Sequence, residues 1–212
     1  MKFDLRNYEV LLPPYPLDYD NWDEAQAHDY LNWFISKIPE RVDYVCWRYH
    51  KDNIFSKKLD PNDPESLLRI WRWFLPRAKI EQMPKEVAEA HLAAFSYLGG
   101  SWQDTRQLSS CTECVTRDIG MLMGHMFTAN YPQQLYWTAE KGVKYYVSRW
   151  RPVLNGFINV DFGKPAHMAL DVLAVVYTQA AGLLIGKAST NDLMRAYRVW
   201  EKDIPAISDC DE

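Results

Sequence analysis

Cysteine is scarce in this chain. Four occur in 212 residues, at Cys46, Cys111, Cys114 and Cys210, too few to build a disulfide-held scaffold at this length. A second C-x-x-C spacing is missing, so Cys111–Cys114 lacks the partner pair of a zinc ribbon, and no metal or cofactor is expected. Long apolar runs are missing too. The most apolar segment, Ala166 to Gly186, is interrupted by His167, Asp171 and Gln179, which favours a buried helix over a transmembrane segment. The start, Met1 to Asn7, has no apolar signal core, and the expectation is a cytoplasmic chain. Basic residues are not in excess: 24 Lys and Arg against 28 Asp and Glu leave a net charge of −4, which argues against a nucleic-acid binder. Internal repeats, a phosphate-binding glycine loop, an H-E-x-x-H pair and a nucleophile elbow are all absent from the sequence.

Aromatic residues, by contrast, are abundant: 9 Trp, 13 Tyr and 8 Phe within a chain that is 48% hydrophobic. Such side chains need burial or an interface. After a proline-containing lead-in over 1–22, apolar residues at helical spacing predict a helix from near Asp23, capped by Asp20 or Asn21. A second helix is expected from Pro39, and a third after Asp63-Pro64-Glu65. A helix over about 84–97 should pack through Val87, Ala90, His91, Ala94 and Phe95, followed by a polar loop over 101–110. The next helix, 112–129, feeds three strands at 135–138, 144–148 and 153–158. Helices near 168–185 and 191–200 close the chain, with a loose tail over 207–212. The fold class is α+β: a helix-rich single domain over 1–212 with a small antiparallel aromatic sheet between helical segments. Leu67, Leu68, Trp71, Phe74, Ile119, Leu122, Met123 and Met126 are its expected core.

Chemistry is harder to place. Cys111 and Cys114 precede a helix, which can stabilise a thiolate, yet a preceding strand of the thioredoxin kind is not evident, and structural thiols are the better reading. Gly120 and Gly124 have the spacing that permits close approach of a neighbouring element. His125 has no sequence-defined partner and reads as a residue beside the core. The sheet region concentrates Tyr136, Trp137, Lys144, Tyr146, Arg149, Trp150 and Arg151, an aromatic and basic set that ordinary strand packing explains first, with a protein-binding face and then a nucleic-acid face as the alternatives.

Two blocks carry a resemblance. Asn32-Trp33-Phe34-Ile35-Ser36-Lys37-Ile38-Pro39-Glu40-Arg41-Val42 is the first. The second is Arg117-Asp118-Ile119-Gly120-Met121, continued by Trp137 and by Arg151-Pro152-Val153-Leu154-Asn155-Gly156-Phe157. Together they resemble small, uncharacterised bacterial proteins that include candidate immunity proteins of toxin systems. The resemblance implies a non-enzymatic protein-binding role, with a cognate toxin as partner, and assigns no catalytic residue. Two alternatives stand beside it: a small enzyme with a cleft near 111–125, lined by Cys111, Cys114, Asp118 and His125, and a self-associating structural protein.

Overall fold

Asp23 starts the longest element. Its carboxylate accepts from the Gln26 N–H at 2.8 Å while the Gln26 side chain accepts from the Asp23 N–H at 3.1 Å, a reciprocal cap that satisfies two otherwise orphaned amides. The computed structural model describes residues 5–94, 104–142, 148–159 and 165–206. Helix α1 spans Glu24–Asp52, whereas the expected caps Asp20 and Asn21 lie in a preceding 3-10 turn, Tyr19–Asn21. Pro39 does not begin a new helix; it sits inside α1. Pro39 and Ile35 both face solvent, so the carbonyl left without an N–H partner is on the water side. The buried stripe of Tyr30, Phe34, Ile38, Val42 and Val45 therefore continues past the proline.

Helix α2, Glu65–Phe74, starts where the Asp63 carboxylate accepts from the Glu65 N–H at 3.0 Å. Leu67, Ile70, Trp71 and Phe74 are fully buried, while Leu68, one helical step off that face, is half-buried. Strand β1 (Ile80–Gln82) pairs antiparallel with β2 (Arg106–Leu108), which lies where a polar loop was expected over 101–110. Between them α3, Lys85–Ala94, buries no residue, and Val87 is 50% exposed. Its alanines supply helix propensity without the bulk to pack. Phe95 and the Trp102 region fall outside the described residues.

Helix α4, Ser110–Asn130, is buried over most of its circumference and packs against both α1 and a later helix, α5 (Val172–Ala181). Ile119, Leu122, Met123 and Met126 are all fully buried. A three-stranded antiparallel sheet follows in the order β3 (Tyr136–Ala139), β4 (Pro152–Asn159), β5 (Ala166–Leu170). Gly124 lets the Trp137 ring lie directly on α4, since a Cβ there would collide with the indole. Gly156, at φ 111°, takes the register shift between Asn155 and Phe157, and its missing Cβ makes room for the Gln134 carbonyl.

Two differences from the sequence reading concern this sheet. Residues 143–147, which hold most of an expected strand, lie outside the described residues, and Ser148 to Trp150 form a turn. The third strand is β5, within the stretch expected to be helical. Asp171 separates strand from helix because its carboxylate accepts from the Ala174 N–H at 2.9 Å and so caps α5. Helix α6, Asp192–Glu201, packs on α2 and α5. The fold is mixed α+β; among the described residues two small antiparallel sheets lie among helices, and no helix is long and apolar enough to cross a membrane. The expected tail over 207–212 is outside the described residues.

Trp71 is the largest fully buried side chain, and its indole N–H donates to the Ser189 carbonyl at 3.0 Å. Trp71→Ala should cost about 3–5 kcal/mol in urea unfolding. A loss below about 1 kcal/mol would contradict this packing.

Candidate functional site

The N-terminal half of α4 points two adjacent charged residues in different directions. Asp118 turns inward and is fully buried. Arg41 grips it with two hydrogen bonds, Nε to Oδ1 at 3.0 Å and Nη2 to Oδ2 at 2.6 Å, and Tyr8 donates its hydroxyl to Oδ2 at 2.5 Å. The same Nη2 also donates to the Glu9 carbonyl at 2.7 Å. Burial pushes the Asp118 carboxyl above its usual range, opposed by Arg41 and Tyr8. Burial alone would lower Arg41, and its bonds to Asp118 outweigh that. A carboxylate saturated by three side-chain donors is a structural clamp with no lone pair aimed at solvent chemistry.

Arg117, one residue earlier, projects instead toward a cleft of about 390 Å³ between α4 and α5. Its walls are Glu113, Thr116 and Arg117 from α4, Leu173, Ala174, Tyr177 and Thr178 from α5, and Arg151 at the entry to β4. The spacing Glu113, Thr116, Arg117 places three residues on one helical face. One Arg117 nitrogen donates to the Leu11 carbonyl at 3.0 Å, which orients the guanidinium. Arg151 is held by Asp171 at 3.5 Å and lies over the Tyr19 ring, 5.1 Å from its centroid. The Tyr19 ring also meets the Tyr30 ring edge-on, with 6.0 Å between centroids. Burial raises the pKa of both, and the positive charges of Arg117 and Arg151 both pull Tyr30 back toward its ordinary value. Asp171 is raised by burial, against its bond from the Ala174 N–H and the Arg151 charge. Arg117 and Arg151 both line this cleft, and guanidiniums in such a lining can receive an anionic group, carboxylate above all. A second cleft, about 340 Å³ between α5 and α6, holds Arg195 and Asp192, which pair with each other at 3.4 Å.

The residues singled out in the sequence scatter. Tyr136 is exposed on β3, and Trp137 is half-buried with its ring edge-on to Phe34 at 5.2 Å. Trp150 is buried beside Trp22, Ala27, Tyr30 and Leu31, and holds a left-handed backbone, φ 58°. Its N–H donates to the Glu140 carbonyl at 2.6 Å. Arg149 is half-buried and lies 5.5 Å from the Trp150 ring centroid, and among the described members of this set Arg151 alone lines the larger cleft. Lys144 and Tyr146 are outside the described residues. Glu113, Thr116 and Tyr177 were not anticipated; the i, i+3, i+4 spacing on α4 was readable, but its juxtaposition with α5 was not.

Cys111, Cys114, Asp118 and His125 do not line this cleft. Cys114 is buried, its thiol pKa raised by burial, and Cys46 is pushed by burial up to about 12. His125 sits near the other end of α4, 3.2 Å from the Asn62 side-chain oxygen. Among the described residues, no three His, Cys, Asp or Glu side chains gather as metal ligands, and Cys46, Cys111 and Cys114 are free thiols. No family model matches the chain, and no curated protein or solved structure does either.

Two measurements follow from these environments. At pH 8 iodoacetamide should modify Cys46 about 1000-fold more slowly than a thiol of ordinary pKa, because only the thiolate reacts. Mass spectrometry of the labelled, folded chain reads this directly, and rapid labelling of Cys46 would contradict its raised pKa. Burial also raises the Glu113 carboxyl, opposed by Arg117 and reinforced by Glu81. The folded chain then holds this proton more tightly than the unfolded one, so stability falls as pH rises from the ordinary glutamate value through the raised one. Glu113→Gln should flatten that slope in urea midpoints measured between about pH 4 and pH 7. An unchanged slope would place Glu113 in an aqueous environment.

Proposed function

We propose that this chain is a non-enzymatic, cytoplasmic protein-binding protein that acts as an immunity protein. It would neutralise a bacterial toxin by occupying its surface. The observation that carries the reading is that Arg117 and Arg151 both line one cleft. Two guanidiniums in one lining suit an acidic side chain of a partner. The resemblance to candidate immunity proteins supports the same reading, because Arg117 and Arg151 open two stretches of its second block, Arg117–Met121 and Arg151–Phe157.

The product of a neighbouring gene is the first partner to test, by co-expression for rescue of growth and by calorimetry with purified components. Arg151→Glu and Arg117→Glu should each weaken the complex by about 100-fold, since a like charge facing a partner carboxylate costs several kcal/mol. Circular dichroism must show both variants folded, because Arg117 also ties down the lead-in at Leu11. Hydrogen exchange in the complex should protect 113–117 and 148–151. A stoichiometric complex unaffected by either reversal, with no protection in those segments, would sink this assignment.

A further inference from the structure

The turn after α1 presents the most exposed large apolar side chain among the described residues. Phe55 is 99% exposed, and Ile54 beside it is 62% exposed. Such exposure normally accompanies a loosely held loop, yet this one is braced on both sides. The Asn53 side chain donates to the Tyr49 carbonyl at 2.8 Å, and the Ser56 N–H to the Asn53 carbonyl at 2.8 Å. Arg69 donates to the carbonyls of Lys57 and Lys58 at 3.4 and 3.3 Å, and Leu59 is buried to anchor the return. The fold thus holds Phe55 outward on a convex tip.

The exposed charges within 51–58 share one sign. Lys51, Lys57 and Lys58 are exposed. The acidic residue among them, Asp52, is turned inward against Arg48, Arg77 and the Trp73 indole. Asp60 is exposed, but it lies beyond the buried Leu59, where its carboxylate accepts from the Asn62 N–H at 2.9 Å. Trp47, 51% exposed, lies one turn before Lys51, whose ammonium sits 4.9 Å from the indole centroid. Protruding apolar side chains ringed by lysines, with an indole at the base, match the layering of an anionic bilayer surface. Apolar groups enter the acyl boundary, lysine ammoniums meet lipid phosphates, and the indole sits at headgroup level. We infer that the Ile54–Phe55 tip is a peripheral membrane anchor that inserts into anionic lipid. A convex tip of this kind makes a single-point contact, whereas a stable protein interface needs a broad patch. The net charge of −4 makes any attraction of the whole chain to anionic lipid unfavourable, so binding must come from this local feature. The inference does not depend on the protein-binding proposal.

The test is co-sedimentation of the full chain with phosphatidylcholine vesicles, with and without phosphatidylglycerol, at low ionic strength. Binding to the anionic vesicles should exceed binding to neutral ones by at least about tenfold. Phe55→Ser should reduce it by at least about tenfold, and Lys57→Glu/Lys58→Glu should do the same, with circular dichroism and melting unchanged. Acyl-brominated lipid should quench Trp47 emission in the parent and not in Phe55→Ser. Equal pelleting with both vesicles or with neither would overturn the anchor. So would loss of binding through the lysine reversals alone, because the tip would then not insert. Phe55-dependent binding to a soluble acidic protein, with no vesicle binding, would reassign the tip to a protein partner.

Discussion

Asp118 is an ionisable group carried on a helix with no water around it, and its tolerance rests on Arg41. A carboxylate alone at this depth would destabilise the fold by several kcal/mol; with the guanidinium fork and the Tyr8 hydroxyl, its oxygens are occupied. The clamp joins three distant pieces of chain: the lead-in through Tyr8, α1 through Arg41 and α4 through Asp118. Its geometry dictates more than its own stability. Successive helical residues point about 100° apart, so Asp118 facing α1 forces Arg117 away from it, toward α5. The cleft inherits one of its two positive walls from a structural ion pair that never touches it.

The second positive wall comes from a costlier local arrangement. Arg151 follows Trp150, whose left-handed backbone is unfavourable for a residue with a bulky side chain. Burial of the indole against Trp22, Tyr30 and Leu31 offsets that strain, and the Glu140 carbonyl fixes the turn. An aromatic residue that reads in the sequence as a surface anchor is here the internal support that delivers its neighbour to the surface.

Elements defined by periodicity were legible in advance: the faces of α2 and α4, and the strands at 136–139 and 152–159. Features decided by competition between local and tertiary effects were not. Pro39 is a helix starter by propensity, but its solvent-facing position lets α1 run through it. Residues 166–170 read as helix because apolar bulk carries no period at that length; pairing with β4 and the cap at Asp171 made them a strand. The cleft was the least legible feature. Glu113 and Arg117 show a helical salt-bridge spacing that is common on any surface, and nothing in the sequence says that Tyr177 lies opposite. Arg41 and Asp118, 77 positions apart, carry no pairing signal that one sequence can reveal.

The cation–aromatic row along α1 has an optical consequence. Arg41 lies against Tyr44, Tyr44 against Trp47, and Lys51 over Trp47, so one face of the helix passes from the buried clamp to water. Among the described tryptophans only Trp47 is exposed; the others are buried or half-buried. Its emission belongs to the red, quencher-accessible end of the spectrum, while Trp71 and Trp73 emit from the interior. The ammonium of Lys51 above the indole attracts iodide and repels caesium. The contrast between those two ions gives the end of α1 a spectroscopic signature of its own, readable without label or mutation.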